Sequence, residues 1–345
     1  MAESSKESVK EVLAGECTVQ QMKLRGNFCH LTLKMPLGFP EPVPGQFIMV
    51  SCCPSSDGYL PHSADSPDAR FQRFAMGPVN ERTTLPRPMS IFDYSRPAKR
   101  ERGLLTLVFK TLGRGTLQLS QVRPGDQLRF LGPLGNGFDY QGWRRTLLVA
   151  GGVGFSGINM IARRLREAGN EPLVALGVNT RAQSPVQLSL TEVPSVYRWA
   201  LPHTTEPLKL VVSHLFEEFI PSIVTSLYPG DEGAFCGTTC DLVEKLLGAN
   251  PSYAGDLTLV ACGPRPMLAA LTAIARHSHV KRYLVMLEER MACGLGTCLG
   301  CAVQTREGVL PFEEDGPQEG PTTFKRVCTD GPIFNGYRII WERLC

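Results

Sequence analysis

The sequence predicts a β plus α/β protein: an antiparallel β-barrel, a parallel-sheet α/β domain with crossover helices, and a small C-terminal domain. Three observations predict it. Short apolar segments separated by Pro-Gly and Gly turns fill the first third of the 345 residues. From Thr146 onward, apolar runs alternate with helical stretches. From Glu288 the chain loses periodicity and gathers Cys293, Cys298, Cys301 and Cys328. Domain boundaries are expected at 14–143, 144–286 and 287–345.

In the first domain, strands are expected over Cys17–Leu24, Cys29–Met35, Phe47–Cys52, Leu104–Thr111 and Asp126–Leu131, with turns at Pro44-Gly45 and Pro124-Gly125. Residues 51–86 are rich in Ser, Pro and Asp and are expected as an inserted loop. In the second domain, Thr146–Ala150 and Pro172–Val178 flank a helical stretch, Ile158–Glu167. Ala234–Gly248, Leu257–Cys262 and Met267–Arg276 continue the alternation. Residues 184–230 carry many prolines and no clean period, and are expected as a second insertion.

Composition narrows the function classes. Hydrophobic residues make 43% of the chain, enough for sizeable cores. Thirty-six basic against thirty-three acidic residues leave +3, too balanced to point to nucleic acid or an anionic membrane. The N-terminal stretch Met1–Gly15 is charged, and the most apolar candidate span, Leu257–Ala275, is broken by Gly263-Pro264-Arg265-Pro266. A cytoplasmic protein is expected. Twelve cysteines are far below the roughly 8–10% of a disulfide scaffold.

Cys293, Cys298 and Cys301 have the spacing C-x4-C-x2-C, and Cys328 follows after 26 residues. This is the plant-type [2Fe–2S] arrangement. Four thiolates must converge on two irons, and Gly294, Gly296 and Gly300 let the backbone approach the sulfides and direct N–H groups at sulfur. Zinc sites usually show paired C-x2-C units, of which this chain has one. A structural zinc, or cysteines that bind nothing, remain the alternatives here. The other eight cysteines suit small core residues or free thiols.

Thr146–Ala150 runs into Gly151-Gly152-Val153-Gly154-Phe155-Ser156-Gly157 and then a helix. Gly152, Gly154 and Gly157 match G-x-G-x-x-G in a strand–turn–helix context, where glycines and a helix N-terminus admit a pyrophosphate. The second strand is followed by Asn179, Thr180 and Arg181 rather than an acid. Arg181 suits a 2′-phosphate or a solvated loop charge, so NAD and NADP both stay open. A second strand-end turn, Cys262-Gly263-Pro264, opens the later helix.

Three further segments lie in the first domain. Arg87-Pro88-Met89-Ser90 precedes an apolar pair, Val108-Phe109-Lys110 ends a strand with a cation, and Gly113-Arg114-Gly115-Thr116 can offer backbone N–H groups to phosphate. Singly, each suits a proline turn, an edge-strand lysine or a glycine loop. Their order, in a barrel placed before a nucleotide fold, is more telling.

That order, with R-P-x-S and G-T, then G-G-x-G and C-G-P, then the cysteine motif, resembles the ferredoxin–NADP reductase superfamily. Within it, Glu288–Cys301 and Val327–Phe334 resemble the electron-transfer subunits of two-subunit, NAD-dependent dihydroorotate dehydrogenases. The resemblance implies an FAD-binding barrel, a Rossmann-like nucleotide domain and a [2Fe–2S] domain. It implies FAD contacts from Arg87, Pro88, Met89 and Ser90, and from Val108, Phe109 and Lys110, with Gly115 and Thr116 on the pyrophosphate. It implies that Gly151, Gly152 and Gly154 and the turn Cys262, Gly263 and Pro264 bracket the pyridine nucleotide. Asp231-Glu232-Gly233 resembles a family Asp-Asp-Gly segment. The chain departs from the family at Gly157, where a proline is usual, and in the length of 51–86, 184–230 and the gap before Cys328.

The implied partner is an FMN-containing catalytic subunit that oxidises dihydroorotate, two copies of each chain forming a heterotetramer. A flavin exchanges electrons in pairs with a nicotinamide and singly with a cluster, so it must sit between them. The six histidines and the carboxylates show no catalytic dyad, which suits a chain whose partner carries the substrate chemistry. Another flavin and iron–sulfur reductase subunit, of ferredoxin–NADP, sulfur or sulfite reductase type, is the alternative enzyme. A zinc-binding interaction protein is the alternative of another class.

Overall fold

The computed structural model describes residues 12–54, 85–95, 102–191, 210–215, 218–249, 251–307 and 320–344. Most of the insertion expected at 51–86 lies outside the described residues.

The barrel is built from β1 (Leu13–Arg25), β2 (Phe28–Lys34), β3 (Phe47–Val50), β4 (Arg87–Ser95), β5 (Leu104–Lys110) and β6 (Gln127–Leu134), with a short helix, α1 (Arg114–Leu119), after β5. The strands close in the order β1-β2-β5-β4-β3-β6, each pair antiparallel. Alternation decides which side faces in. On β2, Cys29, Leu31 and Leu33 are buried in the barrel core, while Thr32 and Lys34 point away. The Arg87–Ser90 segment is the start of β4, hydrogen-bonded along β3 from Phe47↔Ser90 to Val50↔Arg87.

The second domain contains β7 (Arg145–Gly151), α2 (Phe155–Glu167), β8 (Leu173–Val178), β9 (Gln187–Thr191), β10 (Leu210–Leu215), β11 (Glu218–Ser226), β12 (Phe235–Cys236), α3 (Thr239–Ala249), β13 (Leu257–Cys262), α4 (Arg265–His277) and β14 (Arg282–Met286). Strands β14, β13, β7, β8 and β11 lie side by side and parallel. Both faces of β7 are covered, as a parallel sheet requires. Leu147 and Val149 pack with α3 and α4, and Leu148 and Ala150 pack with α2. Strand order reverses at β7, with β8 on one side and β13 on the other. The turns after β7 and β13 therefore flank a topological switch point, where ligands of such sheets bind.

Among the described residues of 184–230, where an insertion is expected, β11 is a parallel strand beside β8, and β9 and β10 extend the sheet antiparallel beyond it. Pro221 within β11 obscured the pattern. The helix expected from Ala234 starts at Thr239, because Thr238 and Asp241 form a reciprocal cap: the Thr238 N–H donates to the Asp241 carboxylate at 2.7 Å, and the Asp241 N–H to the Thr238 hydroxyl at 3.2 Å.

The C-terminal region carries a hairpin, β15 (Ala302–Arg306) with β16 (Thr322–Arg326), and a strand, β17 (Ile333–Asn335), that adds antiparallel to β14. The third domain thus shares the large sheet. It is also tied to the barrel: the Asn136 side chain donates to the Ile333 carbonyl at 2.8 Å and accepts from the Ile333 N–H at 3.0 Å. The barrel in turn is locked to α2 by Arg163 on Asp93 and by the Asn159 amide on the Phe92 carbonyl at 3.1 Å. Among the described residues no helix is long and apolar enough to cross a membrane.

Candidate functional site

A cleft of about 1280 Å3 opens where all three regions meet. Arg87, Pro88, Met89 and Ser90 from β4, Val108, Phe109 and Lys110 from β5, and Gly115 and Thr116 from α1 all line it. Strand pairing delivers the first two groups, because β4 and β5 are neighbours in the barrel. Of the apolar residues lining it, Met89 and Phe109 belong to the barrel core and Val108 to the cluster around α2, with the cations of Arg87 and Lys110 beside them. The Lys110 ammonium lies 4.7 Å from the centre of the Phe28 ring, which steadies it. A β-carbon on Gly115 would fall 2.7 Å from the Arg87 Nε, so the guanidinium rests on a position only glycine leaves free. The Thr116 hydroxyl is engaged locally, accepting from the Leu112 and Gly113 N–H groups at 2.9 and 3.2 Å. Apolar lining residues, two cations and a glycine beneath one of them suit a flat aromatic ring with an anionic tail.

The other side of the cleft is lined by Val153, Ser156 and Arg265, next to the switch point; Gly151, Gly152, Gly154, Cys262, Gly263 and Pro264 are not themselves among its lining residues. There the turns after β7 and β13 interlock. A β-carbon on Gly151 would sit 2.7 Å from Pro264 Cδ, and one on Gly263 3.0 Å from the Gly151 nitrogen. Gly154 lies against the Cys262 carbonyl. Gly157 seats α2 on Met286 and the Cys262 sulfur, so the third glycine of the motif serves helix packing rather than approach to a phosphate. Gly152 is the open one: its nearest neighbour is the Lys110 ammonium, 3.9 Å from a built β-carbon. Cys262 is fully buried, and burial pushes its thiol well above the ordinary range, so this residue presents only backbone.

Arg181 stands in a separate surface cavity of about 610 Å3, with Arg25, Gln187 and Asp231. Its N–H donates to the Asp231 carboxylate at 2.6 Å and its guanidinium to the Glu232 carbonyl at 3.1 Å. The acid missing from the sequence after β8 is therefore supplied from further along the chain by Asp231.

The cysteine loop rests on the barrel. Gly294, at φ +72°, packs on Met49 and Leu134. The four thiols form two pairs. Cys293 and Cys298 are 3.3 Å apart, and the Cys293 sulfur accepts from the Leu295 N–H at 3.4 Å. Cys301 and Cys328 are buried together, each 2% exposed. The Thr297 hydroxyl, then the Cys298 and Leu295 N–H groups, hold the Cys293 thiol down at about 5. Burial, then the neighbouring Cys301, pushes Cys328 up to about 11. Among the described residues no three His, Cys, Asp or Glu side chains converge on one point. Two pairs suit two irons with two thiolates each better than one tetrahedral zinc. The cysteines described elsewhere are unpaired; Cys17 and Cys29, both pushed to about 12 by burial, are core residues.

Sequence reasoning missed part of the lining. Val153, Ser156 and Arg265 reach the cleft beside the expected glycines, and Glu288–Ala292 form its wall toward the cysteine loop. The position of Glu288–Ala292 just before Cys293 was the available signal. Glu288 lines the cleft and is exposed to solvent there, and the protein packed around its carboxyl raises it above the ordinary range.

Residues 288–340 match the family model for the iron–sulfur cluster binding domain of dihydroorotate dehydrogenase B. The electron transfer subunit of dihydroorotate dehydrogenase B (NAD(+)) from Bacillus caldolyticus is 30% identical over 261 residues, 74% of this chain and 80% of the relative. Its counterpart from Caldanaerobacter subterraneus subsp. tengcongensis is 29% identical over 296 residues, 85% of both chains. Among solved structures, an NADH-dependent reduced ferredoxin-NADP oxidoreductase aligns with TM-score 0.62 at 23% identity, over 95% of this chain and 91% of that one. A ferredoxin reductase of carbazole 1,9a-dioxygenase aligns with TM-score 0.52 at 18% identity, over 80% and 68%. These structural likenesses bear on the fold alone, and they share the barrel followed by a parallel sheet.

Proposed function

The chain belongs to the family of electron-transfer subunits of dihydroorotate dehydrogenase B, and from that premise we propose that it carries electrons from the FMN of a catalytic partner subunit through [2Fe–2S] and FAD to NAD+. One observation carries the reading: a single cleft is lined by the barrel rim, by Val153, Ser156 and Arg265 next to the switch-point turns, and by Glu288–Ala292 on the approach to the cysteine loop. When bound, the cluster supplies one-electron exchange, and the flavin couples it to hydride exchange with the nicotinamide.

The chain's own residues bind, orient and enclose. Val108, with the strand segments of Met89 and Phe109 beside it, would back the flavin ring, with Arg87, Pro88, Ser90 and Lys110 around it. Gly115, with Thr116 shaping its turn, lets the Arg87 guanidinium lie against the turn, where its charge would meet the pyrophosphate. Gly152 offers open backbone to the pyridine nucleotide, while Gly151, Gly154, Cys262, Gly263 and Pro264 hold its two turns together. Asp231, in the turn after β11, meets the Arg181 N–H beyond β8, and its carboxylate would accept from a ribose hydroxyl there, which supports NAD over NADP. Cys293, Cys298, Cys301 and Cys328 hold the cluster. The segments 14–143, 144–286 and 287–345 serve as FAD, NAD and cluster domains. The oxidation of dihydroorotate belongs to the partner, in a heterotetramer of two copies of each chain. A cytoplasmic setting is supported by the described cysteines, none of which is paired in a disulfide.

The test is reconstitution. The purified chain is expected to oxidise NADH with artificial acceptors and to leave dihydroorotate untouched; dihydroorotate-dependent NAD+ reduction is expected only with the FMN subunit added. A chain that oxidises dihydroorotate by itself contradicts the proposal.

A further inference from the structure

Arg326 ends β16, two residues before Cys328, and its side chain reaches back to the loop that holds the other three cysteines. Its Nη1 donates to the Gly296 carbonyl at 3.4 Å. The N–H of the same glycine is directed at the Cys328 sulfur. Gly296, at φ +79°, leaves no room for a side chain: a β-carbon would lie 3.1 Å from Arg326 Nη1 and 3.0 Å from Thr329 Cγ2. Gly296 thus joins the two cysteine-bearing segments, and Arg326 fixes it from the outside.

The guanidinium is held in turn. Asp330 accepts from Arg326 Nε at 3.3 Å and Nη2 at 3.2 Å, and its carboxylate takes the Arg326 backbone N–H at 2.7 Å. The Asp330 carbonyl accepts from the Asn136 amide at 3.3 Å, which ties this segment to the barrel. Arg326 lies within electrostatic reach of Cys301 and Cys328. A fixed cation, held by a fixed anion, therefore stands within reach of Cys301 and Cys328, and neither charge belongs to the ligand set.

We propose that Arg326 and Asp330 form a charge couple that positions the Gly296 turn and sets the reduction potential of the cluster. The inference rests on the cluster assignment above. Reduction adds one electron to an already anionic group, so a nearby guanidinium favours the reduced form and a nearby carboxylate opposes it. Removing Arg326 takes away the cation and leaves Asp330 uncompensated, and both effects act downward. Removing the Asp330 charge acts upward. A residue that merely supported the loop would not give opposite signs.

The experiment is a redox titration of the full chain, purified anaerobically with its flavin and followed by the electron paramagnetic resonance of the reduced cluster. Arg326→Gln is expected to lower the equilibrium constant for reduction about tenfold, ~59 mV for a one-electron couple. Asp330→Asn is expected to shift it the other way, and the double variant to return toward the parent. Shifts of the same sign in both single variants, or none, overturn the proposal. If Arg326→Gln does not assemble a cluster, Asp330→Asn decides: an upward shift supports the couple, and any other result overturns it. Loss of the cluster in both variants reduces the pair to a structural role and also overturns it. A parent chain without iron defeats the underlying cluster assignment, an outcome distinct from an unmoved potential.

Discussion

The Cα of Gly154 faces the carbonyl of Cys262 so closely that a β-carbon would fall 2.2 Å from that oxygen. This contact brings the end of β7 against the end of β13 and shapes the nucleotide side of the cleft. Its neighbour there is backbone, which cannot turn aside as a side chain can. Gly154→Ala is expected to cost about 1–3 kcal/mol by overpacking and to separate the two turns. NADH affinity, read by fluorescence titration, is expected to fall at least about tenfold, or ~1.4 kcal/mol, while flavin content is retained. Unchanged NADH affinity in a folded variant contradicts the assignment of these turns.

Gly115 beneath Arg87 makes the corresponding prediction for the barrel side. A methyl group there displaces the guanidinium from 2.7 Å, and a side chain can yield, so the fold is expected to survive. Gly115→Ala is expected to weaken FAD retention by about tenfold, ~1.4 kcal/mol. Flavin absorbance per chain after desalting measures it.

Asp93 on β4 is buried and paired with Arg163 on α2, across the joint between barrel and sheet. Arg163 keeps partial solvent access, which softens the loss of its partner. Asp93→Ala is expected to destabilise the chain by about 2–4 kcal/mol, near the lower part of the range for breaking a buried pair. Urea denaturation of parent and variant gives the difference.

The raised carboxyl of Glu288 makes the chain's stability depend on pH. Below the ordinary value of 4.5, both folded and unfolded states hold the proton, and nothing is lost. As pH rises above it, the unfolded chain gives up its proton first, so stability falls until the pH passes the raised folded value. Glu288→Gln is therefore expected to stabilise the flavin-free chain at neutral pH and to leave it unchanged near pH 4. Denaturation midpoints at both pH values test this, and equal midpoints at neutral pH contradict it.

Much of this was legible in the sequence, for identifiable reasons. Strand β2 alternates between core and outside, Leu147–Ala150 of β7 is apolar because both its faces are covered, and the cysteine spacing suits the cluster chemistry it serves. All nine expected flavin-site residues line the cleft. What stayed hidden depends on tertiary contact. The role of Gly157 is set by Met286, more than a hundred residues away, and the acid beside Arg181 comes from Asp231. Strand β11 carries a proline, and β17 is short enough that only its pairing with β14 identifies it.

The account depends most on the two thiol pairs and the cleft beside them. Its most direct test is the content of anaerobically purified chain: iron, acid-labile sulfide, zinc and flavin per polypeptide, for the parent and for Cys298→Ser. About two irons and two sulfides with one FAD are expected in the parent. The variant is expected to lose the iron and keep the flavin. Zinc in place of iron and sulfide, or a Cys298→Ser chain that retains both, contradicts the account.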